Sequence, residues 1–209
     1  MKVLKFIRTA RLNKIKRLAL SRLDKHEQLL LASIDRFQFA RDLERIFPAY
    51  MPLWNAFQYC GIADLDLSIL IYQLMGAETD WRRKLNARVL AMTLFECVDD
   101  IPAILAKDFQ AGIASLANGH SLMEELDSIR KDLAGFGKKH KNILEEIRHI
   151  ATAHRDQRAD LQMVVIKGIN VKMVCELSME FRGILEKFNN LMAKVFSGLT
   201  LKAKSLKSG

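Results

Sequence analysis

Residues 171–198 read VKMVCELSMEFRGILEKFNNLMAKVFSG, and this stretch decides the fold class. Val171, Val174, Leu177, Phe181, Leu185, Phe188, Met192 and Val195 follow one another at steps of three or four residues. An α-helix turns once every 3.6 residues, so this period gathers the apolar side chains on one face. Asn170 stands immediately before it as an N-cap, a residue type whose side-chain oxygen accepts from an orphan amide of the first turn. A heptad-like seam of this kind packs along a neighbouring helix, either within a bundle or across a dimer.

Working back towards the N-terminus, QRADLQMVVIKG (157–168) is ambiguous. Met163–Ile166 would suit a strand or a helical turn. A single strand has no partner here, so loop or helix is expected. Before it, Leu122, Leu126, Ile129, Leu133 and Phe136 mark a helix face, and Ile143, Leu144, Ile147, Ile150 and Ala151 continue it. Asn118-Gly119 predicts a turn, Ser121 with Glu124 a capping box, and Gly135 with Gly137 a bend or break, with helix resuming by Lys139. Thr79 or Asp80 is expected to start a helix with Leu85, Val89, Met92 and Phe95 inward. Asp99-Asp100-Ile101-Pro102 reads as a junction opening a short helix, with Pro102 near its first turn. Leu65–Met75, closed by Gly76, reads as a short buried helix. In PAYMPLWNAFQYCG (48–61), Trp54, Phe57 and Tyr59 have the ring faces to stack nucleobases, but core filling is the favoured reading. Residues 24–46 predict a helix capped by Asp24 with Glu27, its apolar face made of Leu29, Leu30, Ile34, Phe37, Ala40, Leu43 and Ile46. Residues 3–20 predict a basic amphipathic helix, continuous with the next or separate.

The expectation is therefore an all-α helical bundle: a basic N-terminal helix over 1–23, one helical domain over 24–198, and a basic flexible tail over 199–209. The chain's 209 residues suffice for one domain with a sizeable core, and half of them are hydrophobic. No proline follows Pro102, which suits long helices. The net charge of +9 sits at the ends. Residues 1–23 hold eight lysines and arginines and no acid, residues 202–209 hold three lysines, and the middle is slightly acidic. Basic ends attract RNA or an anionic membrane surface. A solvated terminus is the plainer reading. Cys60, Cys97 and Cys175 are few, odd in number and far apart, which predicts small buried thiols in a reducing compartment. No apolar run approaches the roughly 20 residues of a membrane span, and no secretory leader is recognisable. A cytoplasmic location is expected.

One polar constellation is arranged for chemistry. EEIRHIATAHRD (145–156) holds Arg148, His149, His154, Arg155 and Asp156. Arg148, five intervening residues, then His154-Arg155-Asp156 after Ala153 resembles the signature of the HEPN superfamily. His149 stands where the pattern often has Asn. Those proteins are small and all-helical, and many are metal-independent endoribonucleases of toxin–antitoxin and phage-defence systems. The resemblance implies a HEPN-like core with added N-terminal helices. It makes His154 the acid/base and Arg148 the phosphate clamp, with the motif in a cleft between two protomers. His149 and Arg155 would assist with phosphate, and Asp156 would orient His154 or cap the helix. The expected partners are RNA, a second copy of the chain and an antitoxin protein. A membrane partner is not expected.

The residue types suit that chemistry. Histidine transfers protons near neutral pH, and arginine stays charged and grips phosphate with two donors. Spacing alone does not assemble them. Six residues along a straight helix rotate about 600°, so Arg148 and His154 point roughly 120° apart and about 9 Å along the axis. A helix end near His154, or a second protomer, is needed to bring them together. The competing readings are a satisfied histidine on the apolar stripe with arginines paired to nearby acids, a non-catalytic helical RNA- or protein-binding module, and a peripheral membrane or scaffold protein held by residues 1–20. No metal or cofactor is expected. Glu146-x-x-His149 has the spacing of a di-iron bundle but no second copy, and His26, His120 and His140 are scattered. No sequence context supports a Cys–His nucleophile pair.

Overall fold

Residues 2–34 contain neither proline nor glycine and are rich in Leu, Ala, Lys and Arg, all strong helix formers. They form one helix, α1 (Lys2–Ile34). Asp24 is therefore an exposed interior residue and not the start of a new helix: nothing at Leu23-Asp24 interrupts the backbone ladder. The computed structural model describes residues 2–35, 41–42, 44–45, 47–148 and 159–207. Phe37, Ala40, Leu43 and Ile46 of the expected apolar face lie outside the described residues.

Further helices follow among the described residues: α2 (Tyr50–Gly76), α3 (Asp80–Ile104), α4 (Lys107–Ala114), α5 (Gly119–Arg148), α6 (Ala159–Gly168) and α7 (Val171–Lys207). No strand occurs among the described residues, so the all-α helical bundle expected from periodicity is the observed class. Several boundaries differ from the sequence reading. Leu65–Met75 is only the second half of α2, which runs unbroken through Gly61. Gly61 is buried, and a Cβ there would stand 3.3 Å from Leu30 Cδ1, so the missing side chain lets α1 approach. Pro52 lies in the first turn of α2, where the absent N–H has no intrahelical partner to lose. Asp99–Pro102 is not a junction. Pro102 is inside α3, and Leu105 N donating to Ile101 O at 3.0 Å closes the following turn.

The cap of α3 is Thr79, whose hydroxyl accepts from Arg82 N at 3.2 Å. Its inward face is Ala87, Leu90, Ala91, Leu94, Phe95 and Val98, whereas Leu85 is exposed and Val89 and Met92 are half-buried. The sequence period chose a face one step off because alanines carry little hydropathic signal, yet here they admit neighbouring helices. α5 starts at Gly119, before the Ser121 capping box. A Cβ on Gly119 would fall 2.7 Å from Ile113 O, so only glycine fits beneath α4. Gly135 and Gly137 do not break α5, which is continuous to Arg148. Within the ambiguous 157–168 stretch, the described residues from Ala159 on form helix α6. Asn170 Oδ1 accepts from Met173 N at 3.0 Å and caps α7 as expected. α7 continues as helix to Lys207, through most of the basic tail.

The core lies where α3 packs against α2, α5 and α7, with α4 closing one end and α1 laid against α2. Phe109, Phe181 and Phe188 are fully buried in it. The seam of α7 is spent inside this chain: Val174, Phe181, Leu185, Phe188, Met192 and Val195 are all buried against the other helices. Of the two options that period left open, packing within the bundle is the one used. The aromatics of 48–61 are likewise structural. Tyr50 and Trp54 stack at 6.0 Å, and Phe57 meets Phe196 of α7 edge-on at 5.2 Å.

Register between α5 and α7 is marked by charge. Glu125 pairs with Lys194 at 2.7 Å, Asp132 with Lys187 at 2.8 Å, and Lys139 with Glu180 at 3.6 Å. Each step of seven residues forward on α5 matches seven backward on α7, so the helices run antiparallel with a heptad repeat. Across the molecule, Lys84 Nζ donates to Lys167 O at 2.6 Å and satisfies a carbonyl at the end of α6. No helix among the described residues is long and apolar enough to cross a membrane.

Candidate functional site

Arg148 occupies the last described turn of α5. Its guanidinium meets Glu96 Oε1 of α3 at 3.0 Å and lies over the Phe95 ring, 4.7 Å from the centroid. Glu96 is one residue on from Phe95, so a single turn of α3 supplies both the acid and the aromatic face. These contacts hold the charge and it still reaches solvent, the Arg148 side chain being 39% exposed. Cation–π and ion-pair contacts at such a site hold a flexible side chain in one region without removing it from water.

His149, His154, Arg155 and Asp156 lie outside the described residues, so Arg148 alone of the expected site is placed. Next to it on α5, Ile147 turns inward and is buried, as the apolar stripe required. On that side of α5, a groove of about 420 Å³ opens between α5, α6 and the start of α7. Ile143, Ile147, Val164, Ile169 and Met173 give it apolar walls, and Glu146 and Asn170 add polar groups.

Comparison with family models, curated proteins and solved structures finds no match.

The cysteines are disposed as buried thiols. Cys60 of α2 and Cys97 of α3 are both in the core, and burial raises each thiol above its ordinary range, Cys97 to about 12. Burial of this kind keeps both thiols protonated at neutral pH. Half-buried Cys175 is shifted in the same direction by the same cause. Among the described residues no three His, Cys, Asp or Glu side chains gather as metal ligands.

The tertiary structure assembles a second polar cluster that sequence reading missed. Asp64 lies on the buried face of α2 with its side chain only 13% exposed. Its Oδ1 accepts from Arg182 Nε of α7 at 2.7 Å, and its Oδ2 is 3.8 Å from His26 Nδ1 of α1. One turn on, Ser68 donates to the Asp64 carbonyl at 2.6 Å. Three helices distant in sequence thus converge on one carboxylate. Beside it, a cleft of about 250 Å³ is lined by Arg22, His26, Ile71, Tyr72 and Arg182 among others. One signal was available in the sequence. Asp64 falls in register with Cys60, Leu67, Ile71 and Leu74, so an acid sits on an otherwise apolar stripe. An ionised carboxylate there needs a partner, although the pattern does not name it.

Proposed function

We propose that the chain is a HEPN-like, metal-independent endoribonuclease that acts as a homodimer. The observation that supports this best is the setting of Arg148: an arginine held by Glu96 and Phe95 yet partly open to solvent. Together with the all-helical bundle, it agrees with the resemblance of Arg148–Asp156 to the HEPN motif. In this reading the ribose 2′-oxygen attacks the adjacent phosphorus. An O2′–P bond forms and the P–O5′ bond breaks, leaving a 2′,3′-cyclic phosphate and a free 5′-hydroxyl. His154 handles the proton transfer, and Arg148 stabilises the charge that builds on the phosphorane oxygens. Glu96 acts through Arg148 as a positioning residue. His149 and Arg155 add charge beside the phosphate, and Asp156 steadies His154. The resemblance carries with it a toxin–antitoxin or phage-defence setting, with an antitoxin protein as the controlling partner.

The test is incubation of the purified protein with mixed RNA in excess chelator. Cleavage that leaves cyclic phosphate ends, and is lost in His154→Ala and Arg148→Ala, is the expected result. Replacing one oriented charge contact in a transition state costs about 10²–10³ in rate. Glu96→Gln should give a smaller loss, with folding unchanged by circular dichroism. If no RNA is cut, or if His154→Ala cuts as fast as the parent, the ribonuclease reading fails. The all-helical, basic-ended chain then reads as a non-catalytic binding module.

A further inference from the structure

We propose that the cleft between α1, α2 and α7 is a binding site for a nucleoside monophosphate. The cleft is built from elements other than those that hold Arg148, and the inference does not rest on the ribonuclease reading. Its walls are mainly apolar: Ile71, Met75 and the Tyr72 ring line it together with methylene groups of α1. Three cationic or proton-donating side chains, Arg22, His26 and Arg182, enter it from two helices. Such a combination matches a ligand with a flat apolar body and a compact anionic end. Guanidinium groups favour phosphate, which they can meet with paired N–H donors. Tyr72 offers a face on which a base stacks.

The carboxylate of Asp64 does not oppose this. It lies behind the cleft, 13% exposed, and its contact with Arg182 Nε fixes the direction of a side chain that would otherwise sample many rotamers. His26 is held against the same carboxylate from the opposite helix. Two of the three donors, Arg182 and His26, thus stand against Asp64 before any ligand arrives, which lowers the ordering cost of binding. A cleft of about 250 Å³ holds a single small molecule. The seven other positive charges of residues 1–23, on the same helix as Arg22 and His26, draw anions towards it.

Titration calorimetry on the full chain, with adenosine 5′-monophosphate as the probe, tests the site. Inorganic phosphate, adenosine and laurate serve as the comparison ligands. The nucleotide should bind more tightly than phosphate or adenosine, because only it fills both the apolar and the cationic parts. Arg22→Gln and His26→Gln should each weaken it by roughly tenfold, the loss of one charge-assisted contact. Lys194→Gln, an α7 residue outside the cleft, should leave the affinity unchanged. Arg22 is an exposed α1 residue, so its substitution keeps the test open even where Arg182→Gln unfolds the chain. Any of the following overturns the proposal: no heat at millimolar nucleotide, equal affinity for phosphate alone, tighter binding of laurate, or indifference to both Arg22→Gln and His26→Gln.

Discussion

Two residues carry consequences that can be measured. Asp64 is nearly buried and Arg182 is its bridge to α7, so the two are not equivalent to an exposed ion pair. Removing Arg182 alone leaves a carboxylate in an apolar setting. Arg182→Gln should therefore cost about 1–3 kcal/mol in urea unfolding, a range reduced from that of a fully buried pair because Arg182 is 37% exposed. Asp64→Asn with Arg182→Gln should recover part of that loss, since no charge is then stranded. Additive effects of the two changes would show that the pair is not coupled. The core thiols give a pH dependence. Burial lifts Cys97 from 9.0 to about 12, and Cys60 moves the same way. The unfolded chain ionises these thiols first, so their contribution is fully present below pH 9. It is lost as pH rises from about 9 towards 12, at roughly 1.4 kcal/mol per pH unit for each thiol. Stability by chemical denaturation should fall between pH 8.5 and 10.5. Cys97→Ala should flatten that slope, and an unchanged slope would contradict the assignment.

Among the elements, α5 and α7 show how far spacing goes. The heptad ladder of Glu125–Lys194, Asp132–Lys187 and Lys139–Glu180 is legible only once the antiparallel pairing is known. These contacts are exposed, each worth at most about 1 kcal/mol, and they select register more than they add stability. The two glycines of α5 were expected to bend or break it, but the helix is continuous, its flanking Leu133 and Phe136 being buried against the neighbouring helices. They differ in what surrounds them. A Cβ at Gly135 would meet nothing within 4 Å, whereas one at Gly137 would stand 3.3 Å from Val98 Cγ1 of α3. Gly135→Ala should raise stability by about 0.5–1 kcal/mol, the ordinary gain of alanine over glycine in a helix. Gly137→Ala should gain less or lose, as α3 must give way. Thermal melts of the two variants compare them directly, and equal gains would mean that α3 and α5 do not approach as closely as described.

The whole molecule decides whether Arg148 and His154 can act together. The seam of α7 is buried inside the bundle, so a dimer needs another surface. Mixing Arg148→Ala with His154→Ala protein, each inactive alone, should restore part of the RNA cleavage if each site draws on two protomers. A mixture that stays inactive would place any working pair within one chain. Sequence by itself determined the helical class, the core-facing stripe of α7, the Asn170 cap and the residue types suited to phosphate chemistry. Those follow from period and local hydrogen bonding, which act over a few residues. Helix continuity through Asp24, Gly61, Pro102 and Gly135 was not legible, because packing against neighbours outweighs a local breaking tendency of roughly 1–3 kcal/mol. Nor was the partnership of Arg148 with Glu96, or of Asp64 with His26 and Arg182. Each joins residues tens to more than a hundred positions apart, and only the tertiary structure decides which side chains share a space.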